Sequence, residues 1–503
     1  LTANTTGAEN IAIGYQALKA NTTAATNIAI GYIALSSNTT GTYNTALGAY
    51  ALRDNTTTNL NTAVGYAALK ENEAAENTAV GVNCLQLNTT GAGHAAIGYN
   101  ALGSNTTGNY NTAVGRYALL SNTTASENTA VGYQAMSANT TGAKNTAFGL
   151  NALDANTTGY RNTTIGYNSQ TNSTTGNNNT TCGADTMVAL STGHDNTAIG
   201  AFTLNSISTG NLNVGVGNSA LKANTTGAHN TALGYNALAA NTTASYNTAV
   251  GHRALEANTQ AGNTAVGFNA LLANTTGQQN VSIGYESLDA NTTGQYNVAV
   301  GYAALSAVTT GERNIAIGRH SLYNNTGNEN TAIGMNNMEA NTTGAQNTSV
   351  GASALDANTT GTNNVAIGHD ALTALTTNSY CTAVGDYALA NNTSQYMAAF
   401  GAQALGANTT GTENTALGFR SLRLNTTGSK NTAVGVDALY TPTTASNNVA
   451  VGYVALRLNT TGADNTAVGT EALDANTTGD NNVAFGKSAL SANTTGNRNT
   501  AVG

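Results

Sequence analysis

The 503-residue chain lacks much of what folded proteins usually rely on: it has one proline, no tryptophan, three cysteines and only 8% charged residues. Soluble globular proteins carry about 25% charged residues, so Asn and Thr must supply the solubility here. The net charge of -8 is thinly spread. No basic stripe exists to follow a phosphate backbone, which argues against nucleic-acid binding. No stretch reaches the ~20 consecutive apolar residues of a membrane-spanning helix. Cys84, Cys182 and Cys381 lie six and twelve repeats apart. At about 4.8 Å per stacked repeat these gaps are roughly 29 and 58 Å, beyond any intrachain disulfide. His94, His194, His229, His252, His320 and His369 fall in different repeats and form no ligand-spaced set. No metal, cofactor or catalytic residue is expected, and the chain does not read as an enzyme.

What is present is a short sentence repeated from end to end. Asn10, Asn27 and Asn44 each open a repeat of the form N-(T/I/V)-A-(V/I/L/F)-G-Y-x-A-L-x-x-N-T-T-G-x-x, and the series continues through Asn61, Asn77, His94, Asn111 and Asn128 to Asn499. A fixed short period of this kind marks a solenoid in which each repeat stacks only on its neighbours. Residues 1–503 therefore read as one continuous array, and an active site, which needs unlike residues converging once, does not fit it. The chain starts and stops within a repeat, as expected of an excerpt from a longer polypeptide.

Position by position, the repeat predicts an all-β fold: a parallel β-solenoid or β-roll. Positions 2–4 read as a short strand, β-branched on one face and small on the other. Position 5 is always Gly, as at Gly14, Gly31, Gly48 and Gly65, and predicts a corner with positive φ or close backbone approach. Tyr15–Ala20 and its equivalents suggest a single helical turn, with a short second strand as the alternative, and an inward Leu at Leu18, Leu35 and Leu52. Asn-Thr-Thr-Gly makes the return loop. Four repeats are sixteen residues long, and each loses its residue after the second Asn, at Asn72, Asn258, Asn325 and Asn392. The loop is therefore the segment that tolerates deletion. Pro442 falls in it.

The anchor residues Asn10, Asn27, Asn44 and Asn61 are expected to stack as a ladder of side-chain amides, as is the second Asn of each repeat. That second residue, at Asn21, Asn38 and Asn55, also opens an Asn-Thr-Thr glycosylation sequon, although turn geometry alone accounts for it. Cys182 occupies a repeated apolar position and reads as a small core residue. Repeats near 162–216 are degenerate: Gln170 replaces the inward Leu, and Thr164 and Thr181 replace Ala. With about three sizeable apolar side chains per coil, at roughly 1.5–3 kcal/mol each, the core is thin. Lateral association follows as a physical expectation.

The repeat N-T-A-V-G-Y-x-A-L-x-x-N-T-T-G resembles those of bacterial and phage tail-fibre-domain proteins along the whole chain. More distantly, Ala12-Ile13-Gly14 is similar to the strand motif of the head repeats in trimeric autotransporter adhesins. The resemblance implies an extracellular or particle-surface fibre or adhesin shaft, homo-oligomeric as a trimer or filament. The alternative is a repeat face that binds surface glycans or ice.

Overall fold

The computed structural model describes residues Leu1–Gly503. All of its regular structure is strand. Two compact segments, Leu1–His252 and Arg253–Gly503, are built on the same plan. In the first, β1 (Ile11–Ile13), β2 (Ile28–Ile30) and β3 (Thr45–Leu47) begin a series that reaches Thr248–Val250 with one strand per repeat. Successive strands pair in parallel with equivalent residues opposed: Ile11 with Ile28 and Ala12 with Ala29, and so on to Thr231 with Thr248. The second segment does the same from Thr264 paired with Val281 to Val483 paired with Thr500. Each segment is a parallel β-solenoid, and equivalent residues of adjacent repeats lie side by side.

The corner follows from position 5. Gly14, Gly31, Gly48 and Gly65 have φ of 130°, 141°, 136° and 135°. A Cβ on Gly31 would lie 2.5 Å from the Gly48 carbonyl oxygen of the next coil. Backbone conformation and stacking distance each exclude a side chain there.

The bend after the corner is neither a helical turn nor a second strand, which corrects the expectation for Tyr15–Ala20. Gln16 and Leu18 have φ of 56° and 48°, and Ile33 and Leu35 have 58° and 49°. A left-handed residue at positions 7 and 9 swings the chain round without winding it into a helix. Its hydrogen bonds run mostly between coils: Leu18 N–H donates to Ala34 O at 3.1 Å, and Ile33 N–H donates to Tyr15 O at 2.8 Å. A third left-handed residue precedes each anchor, as at Glu9 and Thr26, both with φ of 60°. For non-glycine residues this conformation costs on the order of 1–3 kcal/mol each. Burial of the Leu and the bonds between coils offset it. Ala, Leu and Lys report a local helix propensity that these bonds override.

The core is narrower than the pattern suggests. Alanines of positions 3 and 8 and the Leu of position 9 fill it, as in Ala29, Ala34 and Leu35 or Ala46, Ala51 and Leu52, all with no exposure. Side chains alternate along a strand, so positions 2 and 4 face outward. Ile13 and Phe148 are 59% and 57% exposed. The aliphatic residues of position 4 therefore do not belong to the core, and Cys182, expected inside, is exposed. Pro442, expected in an outer loop, is buried in the rank that the second Asn fills elsewhere.

Candidate functional site

Two ranks of Asn hold the coils in register. In the anchor rank, Asn27 N–H donates to Asn10 Oδ1 at 3.0 Å. Asn44 donates to Asn27 at 2.9 Å, and Asn61 to Asn44 at 3.0 Å. Most anchor amides also tie their own coil shut: Asn10 Nδ2 donates to Ala24 O at 2.7 Å and Asn27 Nδ2 to Gly41 O at 2.9 Å. The second rank is a side-chain ladder. Asn21 Nδ2 donates to Asn4 Oδ1 at 3.0 Å, Asn38 to Asn21 at 3.3 Å, and Asn55 to Asn38 at 3.1 Å. The same amides bond the loop carbonyls, as Asn38 Nδ2 does with Gly41 O at 2.9 Å. In sixteen-residue coils the bond moves one residue closer, from Asn72 Nδ2 to Ala74 O at 2.6 Å.

This geometry is incompatible with glycans on the sequons. Asn21, Asn38 and Asn55 are fully buried, and the nitrogen that would carry the sugar is already a donor in the ladder. The hydroxyl of the first Thr bonds the next coil, as Thr22 Oγ1 does with Thr39 O at 3.2 Å.

Two of the three replacements at the anchor, His94 and Cys381, keep its hydrogen bonding, and Met397 does not. At His94, Nδ1 accepts from Asn111 N–H at 3.1 Å, and the ring bonds the Gly108 backbone, which is the bond an Asn would make. Burial pushes its pKa down to about 4. The Cys381 thiol donates to Ser394 O at 3.2 Å, and burial pushes its pKa up to about 11. Met397 is buried in the same rank, and its coil joins the next through Ala398 N–H to Asn414 O at 3.1 Å.

The outside of the coil has two unlike surfaces. The strand face, positions 2 and 4, holds Thr, Val and Ile with a few Leu, Phe, Ala and Cys182, and carries no charged residue in any repeat. Leu47, Ile97 and Phe148 are among its exposed members. The flank formed by positions 7 and 10 varies from coil to coil and holds many of the charges, including Arg53, Lys70, Asp154, Lys222, Glu256 and Arg420. The shallow cavities of the chain open on this flank. Between the two surfaces runs the aromatic of position 6. Tyr15 and Tyr32 stack at 5.4 Å, and Phe268, Tyr285 and Tyr302 at 5.1 and 5.4 Å. These rings cover one another's faces and turn their edges to water.

The anchor ladder, the Gly corners and the inward Leu were accessible to spacing arguments. The outward direction of the β-branched strand face was not, and the variable flank was not because it follows no motif. Comparison of the chain with protein-family models and with curated proteins gave no match.

Proposed function

We propose that this chain is an extracellular structural shaft, a fibre or adhesin stalk whose stacked coils assemble with further copies of itself. The observation that carries this reading is the strand face. It repeats without a charge from coil to coil within each segment, and its aliphatic side chains reach solvent, the valines partly and residues such as Leu47 and Ile97 to 43% and 47%. Isolated soluble chains rarely expose a contiguous apolar patch larger than a few hundred Å2. A face of the same uncharged, largely β-branched character in every coil suits an identical partner. The narrow alanine-lined core adds to the case, since lateral packing supplies burial that the interior of one coil does not.

Sedimentation velocity on the full chain, with electron micrographs to measure particle width, tests the assembly. Self-association that is lost on Val80→Lys and Val131→Lys, with the β circular dichroism retained, is the expected result. A chain that stays monomeric, one coil wide, overturns the assembly. A second reading, ordered-surface binding, is favoured by Thr at position 2 beside an aliphatic at position 4 in two parallel ranks. Inhibition of ice recrystallisation by the unassembled chain would favour it over the shaft.

A further inference from the structure

We propose that the flank of the coils between Tyr387 and Leu458 binds a short carboxylate-bearing saccharide, a role separate from the shaft and independent of assembly. Two cavities open there. The first, of about 340 Å3, is walled by Tyr387, Asn391, Gln403 and Arg423. It exists because position 10 of one coil is Gly406, between Ala390 and Arg423 in the coils either side. The second, of about 300 Å3, is lined by Arg420, Asp437, Tyr440, Arg457 and Leu458. The coil opened by Asn414 joins them, contributing Arg423 to the first and Arg420 to the second.

The lining sets three guanidinium groups against one carboxylate. Arg420 Nη2 holds Asp437 Oδ2 at 3.0 Å, and Arg423 Nε donates to Gln403 Oε1 at 2.7 Å. Arg457 makes no ion pair. The Nε atoms of Arg420 and Arg457 are buried without a hydrogen-bond partner, and so is Asp437 Oδ1. These inner atoms face protein, so a ligand in the cavities meets the terminal nitrogens, of which those of Arg457 are held by no carboxylate. Arginine presents a planar fork that fits a carboxylate through two bonds. The Arg420 fork is oriented by ring contacts, 4.6 Å from the Phe419 centroid and 5.5 Å from that of Tyr440. Asn391 and Gln403 line the first cavity with amides that can partner hydroxyl groups. Acidic residues close the patch at both ends, Asp370 before it and Glu471 and Asp474 after it. The cationic stretch therefore admits a short acidic saccharide and disfavours a long polyanion.

Titration calorimetry of the full chain with trigalacturonate, against neutral maltotriose, tests the site. Trigalacturonate should bind and maltotriose should not. Arg457→Gln, and Arg457→Lys, which keeps the charge but loses the fork, should each weaken binding by about tenfold. Gly406→Asn fills the first cavity without changing charge and should weaken it similarly. Lys222→Gln, on the same flank in the other segment, should leave it unchanged. Circular dichroism confirms that each variant is folded. The site is refuted by no binding of trigalacturonate, by equal binding of maltotriose, or by unaltered affinity in folded Arg457 and Gly406 variants.

Discussion

The coils opened by Asn111, Asn128 and Asn145 and those opened by Asn162, Asn179 and Asn196 follow the same backbone path around different interiors. The first group buries Ala113, Ala118 and Leu119, then Ala130, Ala135 and Met136, whereas the second buries Thr164, Ser169, Gln170, Thr181, Thr186 and Thr203. The polar interior is hydrogen-bonded. Thr164 Oγ1 donates to Gln170 Oε1 at 2.8 Å, Ser169 Oγ donates to Thr181 Oγ1 at 2.9 Å, and Thr186 Oγ1 donates to Gly200 O at 2.8 Å. Where Thr203 is bulkier than the usual Ala, residue 215 is Gly, and a Cβ there would lie 2.7 Å from Thr203 Cγ2. The second Asn rank is replaced by Ser173, Leu190 and Ile207, all buried. Two features do not change. The corners Gly166, Gly183 and Gly200 keep φ of 135°, 149° and 125°. The anchors Asn162, Asn179, Asn196 and Asn213 keep their bonds at 3.0 Å. Corner and anchor define the coil, and its filling is negotiable: most of its polar groups are paired, and the buried Ser173 hydroxyl, which is not, is tolerated.

The largest effect should come from breaking what the two groups share. Gly149→Val and Gly183→Val place a β-branched side chain at φ of 145° and 149°, against a carbonyl 2.3 Å and 2.6 Å from the new Cβ. Each should cost upward of about 4 kcal/mol, read as local loss of hydrogen-exchange protection, and the two should be alike. A mild effect in either would mean that the corner is not what defines the coil.

Next, the two Asn ranks should differ. Asn128→Leu removes the acceptor for Asn145 N–H, now bonded at 2.9 Å, and the closure to Gly142 O at 2.9 Å. It should cost about 3 kcal/mol. Asn122→Leu copies what Leu190 does naturally and should cost under half of that in the same denaturant series.

His94 lies in the rank both groups preserve and makes one coil acid-sensitive. Its folded pKa of about 4 is below the ordinary value near 6.5. The unfolded chain therefore takes up the proton first as pH falls, and stability should be full above about pH 6.5 and decline towards pH 4. The loss should be roughly 2–3 kcal/mol, followed by hydrogen exchange around Asn111, and His94→Asn should remove it.

The smallest effect concerns the polar filling. Gln170→Leu alone strands the Thr164 hydroxyl and should cost about 1–2 kcal/mol. Adding Thr164→Ala recreates the regular interior and should recover most of that, which chemical denaturation of the single and double variants can measure.

Much of this fold is legible in the spacing: the period, the strand, the Gly corner and the inward Leu18. The direction of the strand is not. Bulky aliphatics usually mark the core, yet here position 4 points out, because the interior has room only for Ala29 beside Ala34 and Leu35. The bend misleads for a different reason. Ile33 at φ of 58° is a conformation no local propensity anticipates, and only the neighbouring coil stabilises it. The saccharide flank is hidden because its residues sit at positions with no pattern. The clustering of Arg420, Arg423 and Arg457 is the one trace it leaves in the sequence.

Because the anchor of each coil bonds its immediate neighbours in the stack, as Asn27 does with Asn10 and Asn44, a coding segment duplicated or excised as a whole number of coils joins without any new kind of contact. Length can thus change in discrete steps of about 4.8 Å while individual coils acquire their own flank residues. Reach and recognition are then free to evolve separately in the same polypeptide.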